Sequence, residues 1–222
     1  TIETVGSAAV GLVFLDKTTL SKNMTGLFKA DSYMIRQKVL KLIGEEFHIY
    51  SDESMENMIG YSKQKALKLK EDIRVYSDES QSIELLTIKQ KGILDFMGGF
   101  GIVDGQTGDS LGSMKRKGLK SMFKDSWVVL DSEGNEVGNL GEDSGILALI
   151  RRFIPGMALF IPQAFSLKMN GASGEVTFTQ KINPLVHKLA VSGVSSSGID
   201  PRIAASAAVL LIAIEGRQEA PI

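Results

Sequence analysis

Hydrophobic and polar positions alternate along most of this chain, and the alternation recurs at a nearly fixed interval. The pentapeptide Tyr-Ser-Asp-Glu-Ser occupies 50–54 and again 76–80. Around it, Phe47-His-Ile49-Tyr-Ser-Asp52 returns as Ile73-Arg-Val75-Tyr-Ser-Asp78, as Phe100-Gly-Ile102-Val-Asp104 and as Trp127-Val-Val129-Leu-Asp131. Each copy reads as a period-two strand running into an acidic turn. Phe165-Ser-Leu167-Lys-Met169 before Asn170-Gly171 is a looser copy with a strong hairpin signal. A second strand follows each turn and ends in a polar, mostly basic tripeptide: Arg36-Gln37-Lys38, Lys63-Gln64-Lys65, Lys89-Gln90-Lys91, Lys115-Arg116-Lys117 and Thr179-Gln180-Lys181.

Successive side chains of a strand point to opposite faces. Ile35, Gln37 and Val39 therefore share one face and Arg36 and Lys38 the other, while Phe178, Gln180 and Ile182 oppose Thr179 and Lys181. The lysines are predicted to face solvent. Gln37, Gln64, Gln90 and Gln180 are predicted to face inward, where their amides need partners. About a dozen strands fit between Tyr33 and Val191, and an antiparallel sheet of that size curls and closes to remove its free edges. The predicted fold class is all-β: a closed twelve-stranded antiparallel barrel over 32–218, with an N-terminal extension over 1–31 and a tail at 219–222.

Twelve strands ~4.8 Å apart and tilted ~40° give a wall radius of roughly 12 Å, which leaves a lumen about one α-helix wide. The chain supplies a candidate to fill it. Asp200-Pro201 is a helix cap and first-turn proline, Ile203–Ile214 is apolar on every side, and Gly216 is a fitting stop. A helix over 200–215 would be about 22 Å long and must be buried, because no face of it suits water. The plainer alternative is a core helix against an open sheet. A shorter helix is predicted over Gly145–Phe153, where Ile146, Leu149, Ile150 and Phe153 form a stripe beside Arg151 and Arg152.

Composition narrows the chemistry. Hydrophobic residues make up 43% and charged residues 23%, the balance of a folded globular chain, and the formal net charge is −1. Attraction to an anion must then come from a local patch. The absence of cysteine excludes disulfides, thiolate metal sites and cysteine nucleophiles, and fits a reducing cytosol. Two histidines, His48 and His187, cannot build a multi-histidine metal centre. No Gly-x-Ser-x-Gly elbow, P-loop, His-Glu-x-x-His or dinucleotide fingerprint is present, so no catalytic residue, metal ligand or cofactor is assigned and no enzyme is expected. The recurrent Asp52, Asp78, Asp104 and Asp131 read as turn caps rather than calcium ligands. The longest uncharged runs fall short of the ~18 residues a membrane span needs. Val5–Leu15 has the look of a signal-peptide core, but no basic residue precedes it.

The string Tyr33-Met-Ile35-Arg36-Gln37-Lys38, the paired Phe47-x-Ile49-x-x-Asp52 and Phe100-x-Ile102-x-Asp104 units, Leu85-Leu-Thr-Ile-Lys89-Gln90-Lys91 and the terminal apolar helix together resemble the LURP-one-related and phospholipid-scramblase branch of the tubby-like superfamily. The resemblance covers roughly Tyr33 to Gln218. It implies a twelve-stranded barrel threaded by a C-terminal helix, and non-enzymatic work at a membrane through cationic residues that bind phosphoinositide headgroups. The chain departs from scramblases in lacking their palmitoylated cysteine run, their proline-rich N-terminus and the acidic calcium segment before the terminal helix. The expectation therefore contracts to lipid or protein binding, without calcium-gated scrambling.

The candidate headgroup-binding residues are the strand-end lysines Lys63, Lys65, Lys89, Lys91, Lys115 and Lys117, continued by Lys120. Four to eight clustered lysines near an anionic surface contribute about 1 kcal/mol each. The plainer reading is that they solubilise the sheet. Ile150, Arg151, Arg152 and Phe153 are the candidate membrane contacts, with a lid over one barrel end or an oligomer contact as the alternative. The expected partner is an anionic phospholipid or phosphoinositide, with a protein partner as a further option and no nucleic acid. The expected location is cytoplasmic and peripheral at a membrane. The competing function is a carrier or enzyme holding a small apolar ligand in the lumen.

Overall fold

The computed structural model describes residues 26–40, 44–65, 72–90, 99–117, 126–143, 162–181 and 186–214. Twelve strands follow one another: β1 (Tyr33–Leu40), β2 (Gly44–Tyr50), β3 (Met58–Lys65), β4 (Asp72–Tyr76), β5 (Glu84–Gln90) and β6 (Phe100–Asp104) form the first half. The second half is β7 (Ser110–Arg116), β8 (Ser126–Leu130), β9 (Glu136–Glu142), β10 (Ala164–Met169), β11 (Glu175–Lys181) and β12 (Lys188–Ser192). Each pairs antiparallel with its neighbour in sequence, and β12 closes onto β1 through Tyr33↔Val191, Met34↔Ala190, Ile35↔Leu189 and Arg36↔Lys188. The result is the closed twelve-stranded barrel that the alternation predicts.

The alternation also sets the two faces. On β1, Tyr33, Ile35 and Gln37 are buried while Arg36 and Lys38 are exposed; on β4, Ile73 and Val75 are buried around exposed Arg74. Inward apolar residues from every strand form one core. Its centre is a helix. Pro201–Ile214, here α3, is preceded by the four-residue helices α1 (Gly26–Lys29) and α2 (Val194–Ser197). Every residue of α3 from Ile203 to Ala213 is buried, and the helix packs on β1 and β12 as well as on β5 and β6 across the barrel. Only an element inside the lumen touches opposite walls in this way. Ala204, Ala207 and Ala208 are fully enclosed, so the small side chains let the wall approach the helix closely.

The start of α3 follows its sequence signals. Asp200 accepts a hydrogen bond from the Arg202 N–H at 2.9 Å, and its carbonyl accepts the first helical bonds from Ile203 and Ala204. Within the N-terminal extension, α1 buries Leu27 and Phe28 in the common core against α3 and β3. Asp31 then accepts bonds from the Ser195 and Ser196 N–H groups, at 2.8 and 3.2 Å, and so ties this segment to the start of α2. Leu27 and Phe28 are two apolar residues without periodicity, too little signal to mark a core element.

At Gly112 the backbone adopts φ of +113°, and a Cβ there would run into the carbonyl oxygen of Leu130 on β8. Gly112→Ala is therefore expected to cost about 1–3 kcal/mol, seen as a lower urea midpoint with an unchanged slope. Gly108→Ala, at φ of +77° with open space around it, should lose less.

Candidate functional site

Asp52 and Asp78 each accept the N–H two residues on, from Ser54 and Ser80, both at 2.8 Å, and each takes a hydroxyl bond from the serine before it. These bonds hold both carboxyls below their ordinary range. Asp131 does the same for Glu133 and Asn135. The aspartates are turn caps, as their sequence positions predict. Among the described residues no cluster of three or more His, Asp or Glu side chains is arranged to hold a metal ion.

The two Tyr-Ser-Asp-Glu-Ser turns share a further property. In each, the glutamate after the capping aspartate reaches back onto a basic group of the outer wall. Glu53 meets Lys181 at 2.7 Å, and Glu79 meets His48 Nε2 at 2.9 Å. Met55 and Gln81, in equivalent places of the two turns, both have positive φ, near +58° and +57°. The repeat in sequence is thus a repeat in backbone and in the reach of its glutamate.

The basic groups they touch belong to one row. Strand register sets Lys181 opposite Lys188, Lys188 opposite Arg36, and Arg36 opposite His48, across β11, β12, β1 and β2. Residues directly opposite on an antiparallel ladder share a face, and the like charges of Lys181, Lys188 and Arg36 so placed repel. Lys181 and His48, at the ends of the row, have their glutamates. Arg36, exposed, and Lys188, half-buried, lie between them and have no acidic partner among the described residues. Beyond His48 the row continues into Tyr61 and Tyr76. The His48 ring stacks with Tyr50 at 6.2 Å and meets Tyr61 edge-on at 5.3 Å, which fixes its orientation.

The lysines singled out in the sequence fall into different states. Lys63 is 3.2 Å from Glu46, which Lys38 also approaches at 3.9 Å. Burial pushes the Glu46 carboxyl up, but bonds from Lys63 and Tyr61 outweigh it and the net direction is down, so this acid stays charged and neutralises its neighbours. The Tyr61 hydroxyl, partly desolvated and beside Glu46, is pushed up to about 12. Lys117 is 3.6 Å from Glu136. Lys89 and Lys115 are exposed and have no acidic partner among the described residues; Asp72, opposite Lys89, is engaged by Arg74 at 3.1 Å. Lys65 ends β3. Lys91 and Lys120 lie outside the described residues, as do Ile150, Arg151, Arg152 and Phe153 and the predicted helix that carries them. Arg116 shares a face with Trp127, its guanidinium 6.0 Å from the ring.

No family model, curated protein or solved structure matches this chain. The site must be judged on its own geometry.

Among the described residues the buried polar side chains include Gln37, Gln64, Glu45 and Glu142. Gln37 and Gln64 are 2% and 3% exposed, and the Gln37 Oε1 and both Gln64 amide atoms have no hydrogen-bond partner. The prediction that Gln37 and Gln64 face inward holds. A cavity of about 20 Å³ lies beside Gln180, Phe165, Leu211 and Ile212 at the C-terminal end of α3. That is room for about one water molecule. No helix among the described residues is long and apolar enough to cross a membrane.

Proposed function

We propose that this protein is a non-catalytic module that binds anionic phospholipid or phosphoinositide headgroups on the outer wall of its barrel, related to the LURP-one and scramblase branch and working at the cytosolic face of a membrane. The observation that carries the reading is the set of basic side chains on the outer wall with no acidic partner among the described residues: Arg36, Lys89, Lys115 and Lys188. A charge left without an internal partner contributes nothing to the fold and remains available to an external anion. Each such residue adds about 1 kcal/mol of attraction near an anionic membrane, so binding should fall steeply as salt rises.

The lumen supports this choice. A carrier needs a cavity of hundreds of Å³, whereas among the described residues α3 occupies the barrel axis and the cavity beside Gln180 and Leu211 holds about one water. Vesicle sedimentation tests the proposal. The protein should pellet with vesicles containing phosphatidylinositol phosphates at low salt, and not with phosphatidylcholine alone. Equal recovery with both, or with neither, would remove the headgroup reading.

A further inference from the structure

Within that wall, we infer that Arg36 and Lys188 form a phosphate-binding site gated by the two glutamate arms, Glu53 and Glu79. The inference rests on the headgroup-binding reading and assigns it a place.

The row Lys181–Lys188–Arg36–His48 sets basic groups opposite one another on four adjacent strands. The like charges of Lys181, Lys188 and Arg36 repel across these pairs, and a bound anion would relieve them. The chain supplies two carboxylates, from equivalent positions of a repeated turn, and both go to the ends of the row. The middle pair has none. Adjacent strands lie about 4.8 Å apart. An arginine fork and an ammonium side by side at that spacing suit a tetrahedral dianion, whose several oxygens accept from both. Glu53 and Glu79 are themselves mostly exposed, with about two-thirds of each side chain in solvent. They are thus free to swing away, and their retreat would release Lys181 and His48 to the same ligand. The arms act as internal competitors: they lower the affinity of the site for weak anions and leave it to multiply charged phosphates.

Two pairs of substitutions then have opposite signs. Arg36→Glu with Lys188→Glu should weaken binding to phosphatidylinositol-phosphate vesicles at least tenfold. Glu53→Gln with Glu79→Gln should strengthen it several-fold, an effect that general damage to the fold does not produce. Should the reversed pair fail to fold by circular dichroism, Arg36→Gln with Lys188→Gln takes its place and should still weaken binding. Lys89→Glu with Lys115→Glu, which removes attraction elsewhere on the outer wall, should weaken it less than the Arg36 and Lys188 pair does.

Inositol hexakisphosphate serves as the soluble probe. If it binds the wild type and competes with vesicles, the site reads the phosphate itself; if vesicles alone bind, the site reads phosphate presented on a membrane. Both results sustain the assignment when binding follows Arg36 and Lys188. Wild-type binding that survives their reversal, but is lost on reversing Lys89 and Lys115, overturns this site and leaves the headgroup function standing. Binding of polyglutamate as tightly as of the phosphates overturns the phosphate specificity. No binding to either phosphate probe overturns both.

Discussion

Replacing Arg202 with alanine is expected to cost about 3 kcal/mol of stability, lowering the thermal midpoint by roughly 6 to 12 °C in calorimetry. Arg202 sits in the first turn of α3 and bridges two aspartates: its guanidinium is 2.8 Å from Asp104 and 2.6 Å from Asp200. The Asp104 side chain is only 9% exposed and Arg202 23%, so neither can exchange its partner for bulk water. Asp104 caps the β6–β7 turn through the N–H groups of Gln106 and Thr107, at 2.8 and 3.0 Å. The pair therefore pins the plug to the wall. Removing the cation leaves a carboxylate enclosed and unpaired by charge, which costs more than the pair gains in net terms. The double variant Arg202→Ala with Asp104→Ala should lose less than the sum of the singles, since neither charge is then stranded.

The same pair gives the protein an acid limit. Burial pushes the Asp104 carboxyl up, but the bonds from Arg202, Thr107 and Gln106 outweigh it and the net direction is down. A carboxyl lowered on folding contributes stability that is fully present above the unfolded value of about 3.9, and loses it as pH falls through the lower folded value. Wild-type stability from this pair should thus be flat from neutral pH to about 4 and decline below. In Arg202→Ala burial still raises the Asp104 carboxyl while its main counterweight is gone, so the acid decline from this site should shrink. Urea midpoints across that range decide the matter, and identical acid profiles for the two proteins would refute the role given to Arg202.

A charge placed in the middle of α3 should have the largest effect of all. Ala208 is fully buried in the lumen, and Ala208→Asp is expected to abolish the cooperative unfolding transition at neutral pH, because an unpaired ion there costs several kcal/mol. Ala208→Leu keeps the chemistry and changes only the volume. The wall must then give way around three added carbons, at about 1–3 kcal/mol. A helix lying on the outside of a sheet would accept the leucine within about 0.5 kcal/mol, so the graded pair separates a plug from a surface helix. Near-ultraviolet circular dichroism, which reads the packing of Trp127 and the buried tyrosines, would report the collapse in the aspartate variant.

Much of this architecture is legible before any coordinates. The alternation around Ile35 and Gln37 assigns the faces of β1, the repeated aspartates mark the turns, and a helix that is apolar all round beside a dozen strands has nowhere to go but inside. All of these signals are local or periodic. What escapes is contact between residues far apart in sequence. Arg36 reads correctly as outward, yet its neighbour Lys188 belongs to the strand that closes the barrel, and no pattern announces that register. Asp104 reads as a turn cap, and its second role toward Arg202 depends on how far the helix is pushed into the lumen. Glu53 and Glu79 sit in a repeat that is plain in the sequence, but their reach depends on how the turns fold back. The strand-end lysines also share one sequence pattern and meet different fates, since Glu46 and Glu136 come from neighbouring strands.

The seam between β1 and β12 has a consequence for how the molecule comes into being. Strands joined by short connections can zip up as they leave the ribosome, but this seam joins the two ends of the barrel, about 150 residues apart, and must wait for nearly the whole chain. The plug emerges later still. Until it arrives, the nascent sheet presents its greasy inner surface to the cell, a window in which chaperones and stickiness compete. Arg36 and Lys188 meet only when that last seam closes, so the phosphate site would mark a finished molecule and be missing from every precursor.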